Sequence, residues 1–130
     1  MSVEHVITRS VVSGGITYGG RLSVTAGAEA KIDETIPAPS TNLLLALAVD
    51  VSQLKSVAIS CSRNINLFFN DPSTGAPDKT INLIADQPYT WDNLSLLTNP
   101  FSVDIDSLYV TLASGSSAVL KASFLVDPTL

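Results

Sequence analysis

The stretch SVAISCSRNINLFFN, residues 56–70, places Val57, Ile59, Cys61, Ile65, Leu67 and Phe69 at odd positions, and Ser56, Ala58, Ser60, Ser62, Asn64, Asn66 and Asn70 at even ones. A period of two belongs to extended backbone with one face against an interior and the other toward water. Arg63 breaks the odd series beside Asn64. The stretch is therefore either two hairpin strands joined by a turn or bulge, or one long strand that kinks at that point.

The same alternation recurs on both sides of this stretch. Ile16, Tyr18, Gly20, Leu22, Val24 and Ala26 oppose Thr17, Gly19, Arg21, Ser23 and Thr25, and after Gly27 the residues Ala28, Ala30, Ile32 and Ile36 continue as a second strand. Downstream, Ile81, Leu83 and Ala85 alternate with polar neighbours until Pro88, and Tyr89–Asp92 reads as a short strand. Phe101, Val103 and Ile105 are expected to face inward, followed by Leu108, Val110 and Leu112, then by Ala118, Leu120, Ala122, Phe124 and Val126. Leu43–Val51 (LLLALAVDV) is apolar at nearly every position and is expected to be a central strand covered on both faces, the second face by a neighbouring subunit.

No segment joins helical periodicity to helical length and caps, so helix is confined to a turn or two. About eight to ten short strands separated by Gly, Pro, Asn and Ser predict an all-β antiparallel β-sandwich, jelly-roll-like in style. No linker or internal repeat divides residues 1–130, which read as a single domain. Residues 1–12 alternate poorly, and either join the local sheet or form an N-terminal arm that pairs with a neighbour.

Composition narrows the functional classes. The seven Lys and Arg residues are scattered, against twelve Asp and Glu, for a net charge of −5. Direct nucleic acid and anionic membrane are disfavoured as partners, because both need a clustered basic field. Charged residues make up 15% of the chain, below the roughly one quarter usual in soluble domains, which suits a surface that is covered in use. The N-terminus MSVEHVITRS has no secretory pattern, and the longest apolar run, Leu43–Val49, is too short to span a bilayer.

Candidate chemistry is sparse. His5 is the single histidine and Cys61 the single cysteine, so a triad or a histidine-based metal site would have to be assembled around His5 alone. His5 reads as a surface or interface residue, and Cys61 as a small buried hydrophobe. Asp104 and Asp106 share one strand face, and Asp71 and Asp78 bracket a loop, but neither pair has the spacing of a calcium loop, and solvated carboxylates explain them better. The glycines of GGITYGG, residues 14–20, precede a strand instead of a helix, so tight turning explains them better than phosphate binding. Trp91 and Tyr89 (PYTWDN), two residues apart, could form a stacking platform for a sugar, which gives the alternative reading of a carbohydrate-binding module. No catalytic, cofactor or metal site follows from the residues.

The segments LKSVAIS, NINLFFN with its STG loop, TINLIADQPYTWDN, NPFSVDIDSLYVTLAS and AVLKASFLVDPT resemble small virion structural proteins of tailed phages, in particular capsid decoration, cement or head-fibre subunits with jelly-roll folds. That resemblance implies a non-enzymatic protein, commonly a homotrimer, that binds the major capsid protein or another virion protein on the outside of a shell assembled in the host cytoplasm. Outward apolar side chains, Leu44, Phe68, Ile84, Tyr109, Val119 and Leu125, are the expected subunit contacts, with the segment from Ser2 to Val12 as a contacting arm.

Overall fold

The computed structural model describes residues 3–70, 77–94 and 97–127. Among these the chain forms β1 (Val3–Ser13), β2 (Ile16–Ala26), β3 (Ala28–Ile36), β4 (Ser40–Leu45), β5 (Leu54–Cys61), β6 (Ile65–Phe69), β7 (Lys79–Leu83), β8 (Tyr89–Asp92), β9 (Leu108–Leu112) and β10 (Ala118–Val126). One sheet has the order β3–β10–β5–β8 and the other β4–β9–β6–β7, while β1 and β2 form a two-stranded ribbon apart from both. Every pairing is antiparallel. β3 pairs with β10, β4 with β9, β5 with β8 and β6 with β7, the arrangement of one long antiparallel ribbon rolled up on itself into a jelly-roll sandwich.

Odd-numbered side chains of 56–70 do face the interior, but β5 and β6 lie in opposite sheets and are not a hairpin. Ser62–Asn64 is the corner where the chain changes sheet, and Ile65 follows Cys61 by four positions, an even step, so inward parity survives the crossing. Arg63 holds the corner. Its Nη1 donates to Ala113 O (3.4 Å) and to Ser116 O, and its Nη2 donates to Ser114 O (3.3 Å), tying the corner to the β9–β10 loop.

The core fills the space between the sheets. Val57, Ile59, Leu120 and Phe124 of one sheet meet Leu67, Phe69, Val110 and Leu112 of the other, each at most 1% exposed. Phe69 and Phe124 come from opposite sheets, and Phe101 from the connecting segment packs edge-on against both, with centroid distances of 4.9 and 6.1 Å.

Two expected strands differ. Leu43–Val51 is not a central strand: β4 stops at Leu45 on the edge of its sheet, and the backbone continues through the lone Val49–Ile105 bridge into a short 3-10 turn at Val51–Gln53. Leu47, Val49 and Val51 point inward while Leu44 is 57% exposed, so the apolar run hides a plain alternation. Residues 101–105 make no strand beyond that bridge; Phe101 and Ile105 are buried, but Val103 is exposed.

The ribbon closes at Gly14 and Gly15, both with positive φ (60° and 80°), the geometry of a two-residue hairpin turn that residues with a Cβ resist. It lies on the outward face of the β3–β10–β5–β8 sheet. There Leu125 is 0% exposed, and Ile7, Val24 and Ala26 of the ribbon are buried outside the main core. Lys55 Nζ donates to Thr25 O at 2.7 Å across the same seam.

Candidate functional site

His5 sits in the seam between ribbon and sandwich. β1 delivers it above neighbouring outward positions of β5 and β10, where Nδ1 is 2.7 Å from Ser56 Oγ and Nε2 is 2.7 Å from Ser123 Oγ. Ser123 Oγ donates to Glu29 Oε2, so it accepts from His5 Nε2–H, and Ser56 Oγ donates to Nδ1. The proton order is thus Ser56 to His5 to Ser123 to Glu29, with a neutral imidazole. Burial lowers the His5 pKa from its ordinary value, and the Glu29 carboxylate partly opposes that shift.

A serine hydroxyl hydrogen-bonded to an imidazole has the form of a nucleophile and its base. Ser56, however, is 0% exposed beneath the ribbon, so its oxygen is closed to a substrate. The arrangement works as a latch: it satisfies the polar atoms that the docked ribbon takes out of water.

Trp91 and Tyr89 share a face, as their spacing requires, but it is the inward one, opposite Val57 and Ile59 of β5. Trp91 is 6% exposed, with Nε1 donating to Leu97 O at 3.1 Å, and Tyr89 packs against the core. A stacking platform needs an open ring face, so a sugar site built on Trp91 and Tyr89 is not what the fold presents. Cys61 is buried and free.

The acidic residues take part in local hydrogen bonds: the Asp104 carboxylate caps a backbone N–H, and the Asp78 carboxylate holds the Asn70 side chain. Asp104 Oδ1 accepts from Val51 N (3.0 Å), Asp78 Oδ2 accepts from Asn70 Nδ2 (2.6 Å), and Asp106 N donates to Asn70 Oδ1 (2.7 Å). Asp71 lies outside the described residues. Among the described residues no group of three His, Cys, Asp or Glu side chains is placed to hold a metal ion, and no helix is long and apolar enough to cross a membrane.

The two outward sheet faces differ in chemistry. On the β3–β10–β5–β8 sheet the part left open by the ribbon forms a shallow hollow of about 330 Å³ lined by Lys31, Asp33, Ala58, Ser60, Pro88 and Lys121. Both signs of charge meet there, so it builds no single-sign field. The β4–β9–β6–β7 face carries two neighbouring rows without a charged side chain, and Asp78, bonded to Asn70, stands beyond them. Register places Leu44 beside Tyr109, Tyr109 beside Phe68 and Phe68 beside Thr80, in one row across four strands. The adjoining row holds Thr111, Asn66 and Asn82, with Asn42 bonded to Thr111 at its end. Asn66 Nδ2 donates to Asn82 Oδ1 at 2.6 Å, and Asn42 N donates to Thr111 Oγ1 at 3.1 Å.

Leu44, Phe68 and Tyr109, expected as contacts from scattered positions, are therefore gathered on one face. Ile84 lies just beyond β7, Val119 is on the opposite sheet, and Leu125 is not a subunit contact because the chain's own ribbon covers it. Asn66 and Asn82 stand in the sequence as polar outward positions; their adjacency to each other and to Thr111 comes from cross-strand register, and that of Asn42 from its hydrogen bond to Thr111. Set against protein-family models, curated proteins and solved structures, the chain finds no match.

Proposed function

We propose that the chain is a non-catalytic structural subunit of a virion, a capsid decoration or cement protein that sits on the outer surface of a tailed-phage shell as a homotrimer and reinforces contacts between capsomers. Its partners in this reading are further copies of itself and the major capsid protein, and its location is the virion, assembled in the host cytoplasm.

The observation that carries this reading is the β1–β2 ribbon. It belongs to neither sandwich sheet, so each of its strands has a neighbour on one side only and offers an open edge. Two-stranded sheets are marginal alone, and a neighbour's strand or surface laid along that edge would supply the missing partner. Val6 (45% exposed), on the ribbon face turned away from the sandwich, and Ile16 (56% exposed), beside the Gly14–Gly15 turn at the ribbon tip, add apolar contact. Low charge elsewhere suits a surface that is covered, and three modest contacts per trimer would bind by avidity without a deep pocket.

Light-scattering mass of the purified chain, followed by co-sedimentation with empty shells from the same source, tests the reading. The expected result is a trimer that pellets with shells, and loss of pelleting in a Val6→Asp, Ile16→Asp variant that stays folded. A monomer that never pellets with shells overturns it.

A further inference from the structure

Two uncharged rows on the outward face of the β4–β9–β6–β7 sheet have a chemistry that the assembly reading does not use. The chain carries seven basic and twelve acidic residues, yet Leu44, Tyr109, Phe68 and Thr80 in one row and Asn42, Thr111, Asn66 and Asn82 in the next hold none of them. A charged ligand would meet no counter-charge within these two rows; Asp78, which accepts from Asn70 Nδ2, lies beyond Thr80 at their margin. A neutral ligand with an apolar face and a rim of hydroxyls would meet both of its needs.

We propose that this face binds a neutral oligosaccharide, with sugar rings lying along Tyr109 and Phe68 and their hydroxyls pairing with Asn66, Asn82 and Thr111. The C–H face of a sugar ring packs on an aromatic ring, and each hydroxyl both donates and accepts, as does a carboxamide. The rows lie about 7 Å apart, two residues along extended backbone, so one ring can rest on the aromatic row while its edge reaches the amides. The Asn66–Asn82 hydrogen bond uses one donor and one acceptor and fixes both amide planes. Among the described residues this leaves Asn66 Oδ1 and the Asn82 amide group to a ligand, in an orientation set before binding.

A second copy of the chain is the rival occupant. Four strands and two rows cover roughly 19 by 14 Å, well short of the roughly 800 Å² per partner of a stable protein contact. An exposed array of amides and hydroxyls suits a hydroxyl-rich ligand better than an apolar subunit core. The proposal does not depend on the virion reading, since it concerns a different face.

The test uses the full isotope-labelled chain, titrated in NMR with linear hexasaccharides of glucose, mannose, galactose and N-acetylglucosamine, and with a sialylated oligosaccharide as the anionic control. The expected result is that at least one neutral hexasaccharide moves the backbone and side-chain amide signals of Asn66 and Asn82 and the backbone amide signal of Thr111. Tyr109→Ala and Asn66→Ala should each weaken that binding at least about tenfold, and Asn82→Ala, on the edge strand, provides a further variant should Tyr109→Ala fail to fold. The proposal is overturned if no neutral saccharide moves these signals, if the shifts map to another face, or if the sialylated control binds as well. It is equally overturned if raising protein concentration alone moves the same signals, which would make the face a contact between copies.

Discussion

His5 Nδ1 lies 2.7 Å from Ser56 Oγ, joining residues 51 positions apart and fixing the ribbon to the sandwich. Because His5 is half-buried and donates through Nε2 toward Ser123 and Glu29, docking favours the neutral imidazole. The docked pKa is therefore below the ordinary 6.5. Above pH 6.5 both docked and free ribbons hold a neutral ring, and the latch contributes fully. As pH falls through 6.5 the free form takes up its proton first, so stability declines until the pH passes below the docked pKa and then levels. Thermal melts across pH 8 to 4 should show this decline in the wild type and its flattening in His5→Asn. Equal slopes in the two proteins would remove His5 as the cause.

Removing the buried partner tests the latch at neutral pH. Ser56→Ala leaves His5 Nδ1 without its donor in a half-buried seam, and should cost about 1–3 kcal/mol of ribbon docking. Amide hydrogen exchange would read this directly, with protection lost in residues 3–8 and 23–26 while β5, β6 and β10 keep theirs. Loss of protection throughout the sandwich would mean that ribbon and sandwich unfold as one unit.

Much of this fold was legible because one physical signal, side-chain alternation, was strong in particular places. Odd parity in 56–70 and even parity in 118–126 name the inward faces of β5, β6 and β10 correctly, since a jelly roll buries one face of each strand. Alternation carries no information on which sheet a strand joins, so the Arg63 break was legible as an interruption but not as a change of sheet. Leu43–Val51 misled because Leu44, Ala46 and Ala48 are apolar yet outward. The candidate sites were less legible still. The seam around His5 needs residues 5, 29, 56 and 123 to meet, and the Asn66–Asn82 pair depends on register between β6 and β7.

Leu44 and Leu47 separate an edge strand from a central one by experiment. Leu44 is 57% exposed and Leu47 is 6% exposed. Leu44→Ser should leave the denaturation midpoint nearly unchanged, within about 0.5 kcal/mol, whereas Leu47→Ala should cost roughly 2–5 kcal/mol through lost burial and a residual cavity. Comparable losses at both sites in a protein shown to be monomeric would contradict the edge placement.

Phe69, Phe101 and Phe124 join the sheets at one point, with Phe69 4.9 Å from Phe101 and 6.3 Å from Phe124 between centroids. Phe69→Ala should cost roughly 3–5 kcal/mol. Phe69→Leu should cost clearly less, because it keeps most of the buried volume and loses mainly the edge-to-face contacts, worth about 0.5–1.5 kcal/mol per pair. Urea unfolding of both variants checks the order, and a Leu variant as damaged as the Ala variant would show that the site tolerates no change of shape.

Arg63 and Gly115 form a pair in which each residue depends on the other. Gly115 has φ of +132°, and a Cβ there would stand 3.1 Å from Arg63 Nη2, while that guanidinium holds the carbonyls of Ala113, Ser114 and Ser116. Gly115→Ala should therefore destabilise for two separable reasons, backbone strain and displacement of the guanidinium. Arg63→Ala should cost about 1–3 kcal/mol through the abandoned carbonyls. In the double variant the steric part vanishes because the guanidinium is gone, whereas the backbone strain persists. The combined loss should be smaller than the sum of the single losses by an amount a double-mutant cycle resolves, about 0.5 kcal/mol or more for residues in contact. Strict additivity would place the whole cost of Gly115→Ala in its backbone and leave Arg63 no part in shaping the turn.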